Sequence, residues 1–130
     1  MAEKTSAAVH TFAYRTFRGS SVSHQATLRL PPDVVRAPLV LNVHGGFWKT
    51  QWSLQNLSTG KLLAAFTGCA TLDGEYARVD QNDPAASPEG GGFPHSCLDV
   101  LAALNSLALP GHVPDELRAR LDLSRIYLCG

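Results

Sequence analysis

Hydrophobic and polar positions change rhythm several times along the chain. From His10 to Phe17, Phe12, Tyr14 and Thr16 alternate with polar or small neighbours. That period of two predicts a half-buried strand. The turn segment RGSS follows, and Ala26 to Leu30 alternates again before Pro31-Pro32 closes it. Two alternating strands joined by a short loop predict an antiparallel hairpin. Leu39 to Val43 is different, being nearly continuous in apolar residues. This is the pattern of a strand covered on both faces.

From Ser53 the spacing becomes helical, with Leu54, Leu57, Leu62, Ala65 and Phe66 compatible with one face and Gly68 placed as a C-terminal cap. Cys69 to Tyr76 reads as the next strand. A polar loop rich in Pro and Gly runs from Asp80 to Gly92, and loops of that length in a compact domain are usually functional or mobile. Pro94 stands where helices begin. Cys97, Leu98, Leu101, Leu104 and Leu107 or Ala108 form an apolar stripe, which predicts a helix from Pro94 to Leu109. Pro110-Gly111 stops it. A short helix over PDELRARL and a last strand, Arg125 to Cys129, complete the order. Strands alternating with helices after an opening hairpin predict an α/β protein with a mainly parallel sheet. Residues 1–9 read as a frayed tail, and 10–130 as part of one domain. No internal repeat is visible.

Composition narrows the classes. A chain of 130 residues holds one domain at most, and 45% hydrophobic with 17% charged residues is globular. Lys plus Arg equals Asp plus Glu, for a formal net charge of zero. This argues against nucleic-acid or membrane-surface partners, which usually bring a basic excess. The start, MAEKTSAAVH, has no apolar core of a signal peptide, and no stretch approaches the roughly 20 apolar residues that span a bilayer. A cytoplasmic protein is therefore expected. The three cysteines, Cys69, Cys97 and Cys129, lie in apolar surroundings without metal-ligand spacing. They read as buried free thiols in a reducing compartment.

Candidate chemistry concentrates at strand ends, where ligands bind in open α/β sheets. His44-Gly45-Gly46-Phe47-Trp48 leaves the apolar strand directly. Glycines there let the backbone turn sharply, and converging N–H groups stabilise a developing oxyanion. Gly130 leaves another strand, as in the opening of a G-x-S-x-G nucleophile elbow.

These residues match the H-G-G-x-W motif of α/β-hydrolases, and the chain resembles the kynurenine formamidase (arylformamidase) branch and its esterase relatives. Glu75 to Val79 resembles the Tyr-Arg end of that family's fourth strand, although Ala77 separates Tyr76 from Arg78. Gly90 to Leu104 resembles its Gly-rich entry into the next helix. Leu121 to Gly130 resembles the strand that delivers the nucleophile, where the family continues with a serine two residues after the glycine. The resemblance implies an α/β-hydrolase-type fold with an N-terminal antiparallel hairpin, truncated at the nucleophile strand. The backbone N–H groups of Gly46 and Phe47 are then oxyanion donors in a loop shaped by His44 and Gly45, and Trp48 and Tyr76 border the substrate pocket. The serine, acid and histidine of the triad fall beyond Gly130, so the chain supplies the oxyanion half alone. Small esters or aryl formamides are the implied substrates, and no metal or organic cofactor is implied. Self-association through an exposed sheet edge is expected.

Plainer readings compete at several positions. His44 reads as a general base only with a nucleophile in reach, and no serine is placed for that here; the resemblance implies instead that it shapes the oxyanion loop. His10, His24, His95 and His112 show no metal spacing and are expected at the surface or as caps. Trp48 and Trp52 either line the pocket or fill the core beneath the loop. Asp99 is expected to be solvated or capping, and Ser96 lacks an elbow. The glycines fit neither phosphate-binding pattern. The alternative to a hydrolase half is a non-catalytic remnant that acts as a binding module.

Overall fold

The computed structural model describes residues 5–16, 23–43, 68–76 and 94–130. Within them five strands, β1 (Ala8–Thr16), β2 (Ser23–Leu30), β3 (Ala37–Asn42), β4 (Ala70–Gly74) and β5 (Leu121–Cys129), form one sheet in the order β1-β2-β4-β3-β5. The hairpin β1–β2 is antiparallel and continues antiparallel onto β4. Strands β4, β3 and β5 are mutually parallel. Two helices are described, α1 (His95–Ser106) and α2 (Asp115–Arg118). The sheet is thus mixed, its parallel part beginning where the hairpin ends. The expected helix from Ser53 to Gly68 and the loop from Asp80 to Gly92 lie almost wholly outside the described residues. Neither described helix is long and apolar enough to cross a membrane.

Side chains alternate across a sheet, and residues in register share a face. Leu28, Leu72, Leu41 and Leu128 are in register across β2, β4, β3 and β5. The first three are buried in the main core with Phe12, Tyr14, Leu39, Ala103 and Leu107, on the face that α1 covers. Arg29, Thr71, Asp73 and Asn42 alternate with them and so point to the opposite face. Thr71 and Asp73 are fully buried there.

Several boundaries differ from expectation. Strand β1 starts at Ala8, inside the expected tail, because Ala8 and Val9 pair with Leu30 and Arg29. Strand β4 ends at Gly74 rather than Tyr76. Strand β5 begins at Leu121, four residues early, and slips register between Pro38 and Leu39 on β3. The slip is held locally by Asp122. Its carboxylate accepts from the Ser124 hydroxyl (2.5 Å), the Ser124 amide (3.1 Å) and Arg125 Nε (2.8 Å).

The face that α1 buries is the largest correction. The expected stripe has Leu98 and Leu101 inward, yet they are 50% and 52% exposed. Ser96, Asp99, Ala103 and Ser106 are buried instead. Two contacts fix this phase. A Cβ on Gly74 would lie 3.1 Å from the Ala103 Cβ, so only a small residue fits where helix meets β4. One turn earlier, Asp99 pairs with Arg15 and lies 3.3 Å from His24 Nδ1. Asp99 is therefore not solvated, and His24, 4% exposed, is not a surface residue. His10 and His112 also join elements: His10 Nε2 lies 3.1 Å from the His112 carbonyl, and His112 Nδ1 3.3 Å from the Ala13 carbonyl. The cysteines are not buried thiols either. Cys97 is exposed, and Cys69 and Cys129 are half-buried.

Candidate active site

The exits of β3 and β5 stand side by side. Asn42 and Cys129 are register partners, and the Val43 amide donates to the Cys129 carbonyl at 2.8 Å. A Cβ on Gly130 would lie 3.6 Å from the Val43 carbonyl oxygen and 3.7 Å from its Cβ. The residue before His44 and the last residue of the chain thus lie side by side. On the other side of β3, β4 ends at Gly74, with Asn42 in register with Asp73. Leu41, Asn42, Val43, Gly74, Val100 and Ala103 line a narrow notch between these strand ends and α1.

His44, Gly45, Gly46, Phe47 and Trp48 lie outside the described residues, as does Trp52. Tyr76 is described. It follows β4 at the same end of the sheet and is buried, 2% exposed. The structure thus brings Val43, Gly130 and the chain leading to Tyr76 to one end of the sheet.

Two polar clusters surround that end, one on each face. On the α1 face, β1 carries an irregularity between Ala13 and Arg15: Ala13 pairs with Gln25 and Arg15 with His24, leaving Tyr14 as the extra residue. A bulge re-aims side chains, and here two consecutive residues turn towards α1 and β4. Arg15 reaches Asp99, and the Tyr14 hydroxyl donates to the Glu75 carbonyl. The Glu75 amide in turn donates to the Gln25 carbonyl at 2.9 Å. Burial, then the negative charges of Asp99 and Glu75, push the Tyr14 phenol well above its ordinary range, against a smaller opposite pull from Arg15.

On the other face Asp73 is the hub. Its Oδ1 accepts from Asn42 Nδ2 and its Oδ2 from Arg29 Nη1, each at 2.6 Å. This side chain is 0% exposed and its arginine partner 20%. The chain of contacts crosses three strands, β2, β4 and β3. Neither cluster was anticipated from the motifs. A usable signal did exist, because Asn42 interrupts the apolar run Leu39–Val43 and Asp73 puts a carboxylate within a strand. Among the described residues, no group of three or more His, Cys, Asp or Glu side chains is placed to hold a metal ion.

No protein-family model and no curated protein matches the chain. Solved structures do. The chain has the fold of the N-terminal part of an α/β-hydrolase, and its structural neighbours are esterases. Esterase Est22 superposes with a TM-score of 0.66 at 20% identity over 95% of this chain, and it has also been solved with p-nitrophenol. A bacterial heroin esterase gives 0.65 at 20% identity over 95%. The hyperthermophilic esterase of the archaeon Pyrobaculum calidifontis gives 0.62 at 20% identity over 93%. The chain spans 34% of the length of each of the three.

Proposed function

We propose that residues 10–130 are the N-terminal part of a single α/β-hydrolase domain, belonging to a serine hydrolase of small esters or aryl formamides. The observation that carries this reading is the approach of Val43 to Gly130 at the neighbouring exits of β3 and β5. It supports the reading because Val43 directly precedes His44-Gly45-Gly46-Phe47-Trp48 in sequence, and Gly130 is the position from which a nucleophile elbow would rise. Oxyanion donors and a nucleophile must converge on one carbonyl, and neighbouring strand exits allow that.

In the proposed mechanism a serine two residues beyond Gly130 attacks the substrate carbonyl carbon. A histidine takes the serine proton and returns it to the departing alcohol or amine. Water then releases the acid from the acyl-enzyme and restores the serine. This chain contributes the Gly46 and Phe47 amides that hold the oxyanion, with His44 and Gly45 shaping their loop. Trp48 and Tyr76 border the pocket. The H-G-G-x-W motif supports the kynurenine formamidase branch, the cytoplasm is the proposed compartment, and no cofactor takes part. Strand β5 pairs only with β3 among the described strands and leaves Tyr127 and Leu128 57% and 74% exposed. An apolar edge of this kind pairs with further strands, so the 130-residue stretch by itself is proposed to self-associate.

Assays with p-nitrophenyl acetate and N-formylkynurenine test the reading. The full-length protein turns over the ester, and a fluorophosphonate labels the serine past Gly130. The 130-residue stretch alone is inactive, and turnover by it that survives re-purification and scales with protein overturns the half-site reading. Ester hydrolysis without formamide hydrolysis removes the formamidase branch alone.

A further inference from the structure

We infer that Asn42, held by Asp73, is a positioning residue that fixes how the chain leaves β3; the inference rests on the hydrolase reading for its functional meaning. Asn42 is the last residue of β3 and is 3% exposed. Its side-chain amide donates to Asp73 Oδ1 at 2.6 Å, and the other carboxylate oxygen is held by Arg29 at 2.6 Å. The very next residue, Val43, gives its backbone amide to Cys129.

The end of β3 is therefore gripped from both sides, by a backbone bond to β5 and by a side-chain bond to β4. A fully buried carboxylate needs its donors, because a bare one is costly to keep from water. Asp73 thus holds Asn42 firmly, and a charged acceptor makes that bond stronger than an ordinary amide pair. Arg29 acts on the far side of the carboxylate, away from β3. It holds the charge without touching the strand exit. The two partners of one carboxylate accordingly have separable jobs, which distinguishes positioning from general stabilisation.

Hydrogen exchange at single amides, measured by NMR on the full-length protein, separates them. In Asn42→Ala the Val43 amide loses protection on the order of tenfold relative to the mid-strand amide of Leu41, the effect of one lost hydrogen bond. Asn42→Ser, whose hydroxyl is too short for the contact, does the same and serves if the alanine variant does not fold. Arg29→Gln lowers protection of Val43 and Leu41 together and leaves their ratio unchanged. Equal losses at Val43 and Leu41 in the Asn42 variants, or no loss at Val43, overturn the inference. The second readout is kinetic, in the full-length protein. Asn42→Ala lowers kcat by up to roughly 10²-fold with KM little changed, since a small misplacement of a catalytic group has that cost. Unchanged kcat in an active enzyme also overturns the inference. A wild-type protein without esterase activity overturns the proposed function instead, while the amide ratio still decides the role of Asn42.

Discussion

A methyl group added at Gly74 would stand 3.1 Å from the Cβ of Ala103. This single approach sets how deeply α1 sits on the end of β4, and with it the width of the notch beside β3. Gly74→Ala gives two opposed effects: a push on Ala103, and a gain of about 0.4–1 kcal/mol from a stiffer unfolded chain. These roughly cancel. Gly74→Val adds bulk that the contact cannot absorb and destabilises by about 1–3 kcal/mol. Urea unfolding checks both, and equal stability of the alanine and valine variants contradicts the close approach.

Asp99 and Arg15 form an unequal pair, because the carboxylate is 0% exposed and the guanidinium 25%. Arg15→Met leaves a buried carboxylate without its main counter-charge and costs about 3–5 kcal/mol. Asp99→Leu leaves a cation that reaches water, and costs less, about 1–3 kcal/mol for the polar groups left unmatched. Unfolding free energies in the reverse order refute this account of why α1 turns its polar side inward.

That inward turn marks where the sequence stops being legible. The run Leu39–Val43 signals a buried strand because an apolar run has few other places to go, and the structure holds a strand there, as it does within Cys69–Tyr76. The hairpin was legible for the same reason, since alternation is a local property. The phase of α1 was not. Asp99 is buried because Arg15 meets it, and the two are 84 positions apart in sequence. No local pattern announces such a partner, so Leu98 and Leu101 read as core by default. The bulge at Tyr14 is hidden similarly, because the Tyr14 hydroxyl meets the carbonyl of Glu75, just past the end of β4 and 61 positions away in sequence. Of the candidate site, the strand-exit motifs were visible as residue types. The polar pair at the ends of β3 and β4, Asn42 and Asp73, shows only as polar residues within strands.

Asp122 gives a pH signature. Hydrogen bonds from the Ser124 hydroxyl and then Arg125 draw its pKa from 3.8 down to about 2. A depressed carboxylate contributes stability above its unfolded pKa, and that contribution is lost as pH falls through the folded value. The melting temperature of Asp122→Asn therefore lies below wild type at neutral pH, and the gap closes between about pH 4 and pH 2. A gap independent of pH across that window speaks against the register slip being held by an ionised Asp122.

Tyr14 gives the opposite signature at alkaline pH. Its phenol pKa is raised in the folded state, so the folded chain keeps a proton that the unfolded chain gives up above about pH 10. Raising the pH then favours unfolding. Tyr14→Phe is less stable near pH 7 by about 0.5–1.5 kcal/mol through loss of the bond to Glu75. Its stability also falls less steeply than wild type above pH 10. Parallel curves for the two proteins contradict burial of a protonated Tyr14.

The central proposal is that the loop after Val43 holds the oxyanion with backbone amides, and the most direct test is kcat of the full-length enzyme with Phe47→Pro. Proline has no amide hydrogen, so it deletes the donor itself, whereas Phe47→Ala keeps it. With circular dichroism confirming a folded protein, the proline variant loses about 10²–10³-fold in kcat, roughly 2.7–4 kcal/mol. KM stays close to wild type, because the bond forms in the transition state. The alanine variant keeps most of its kcat. A folded proline variant that retains a third or more of wild-type kcat contradicts the assignment of His44 to Trp48 as the oxyanion loop.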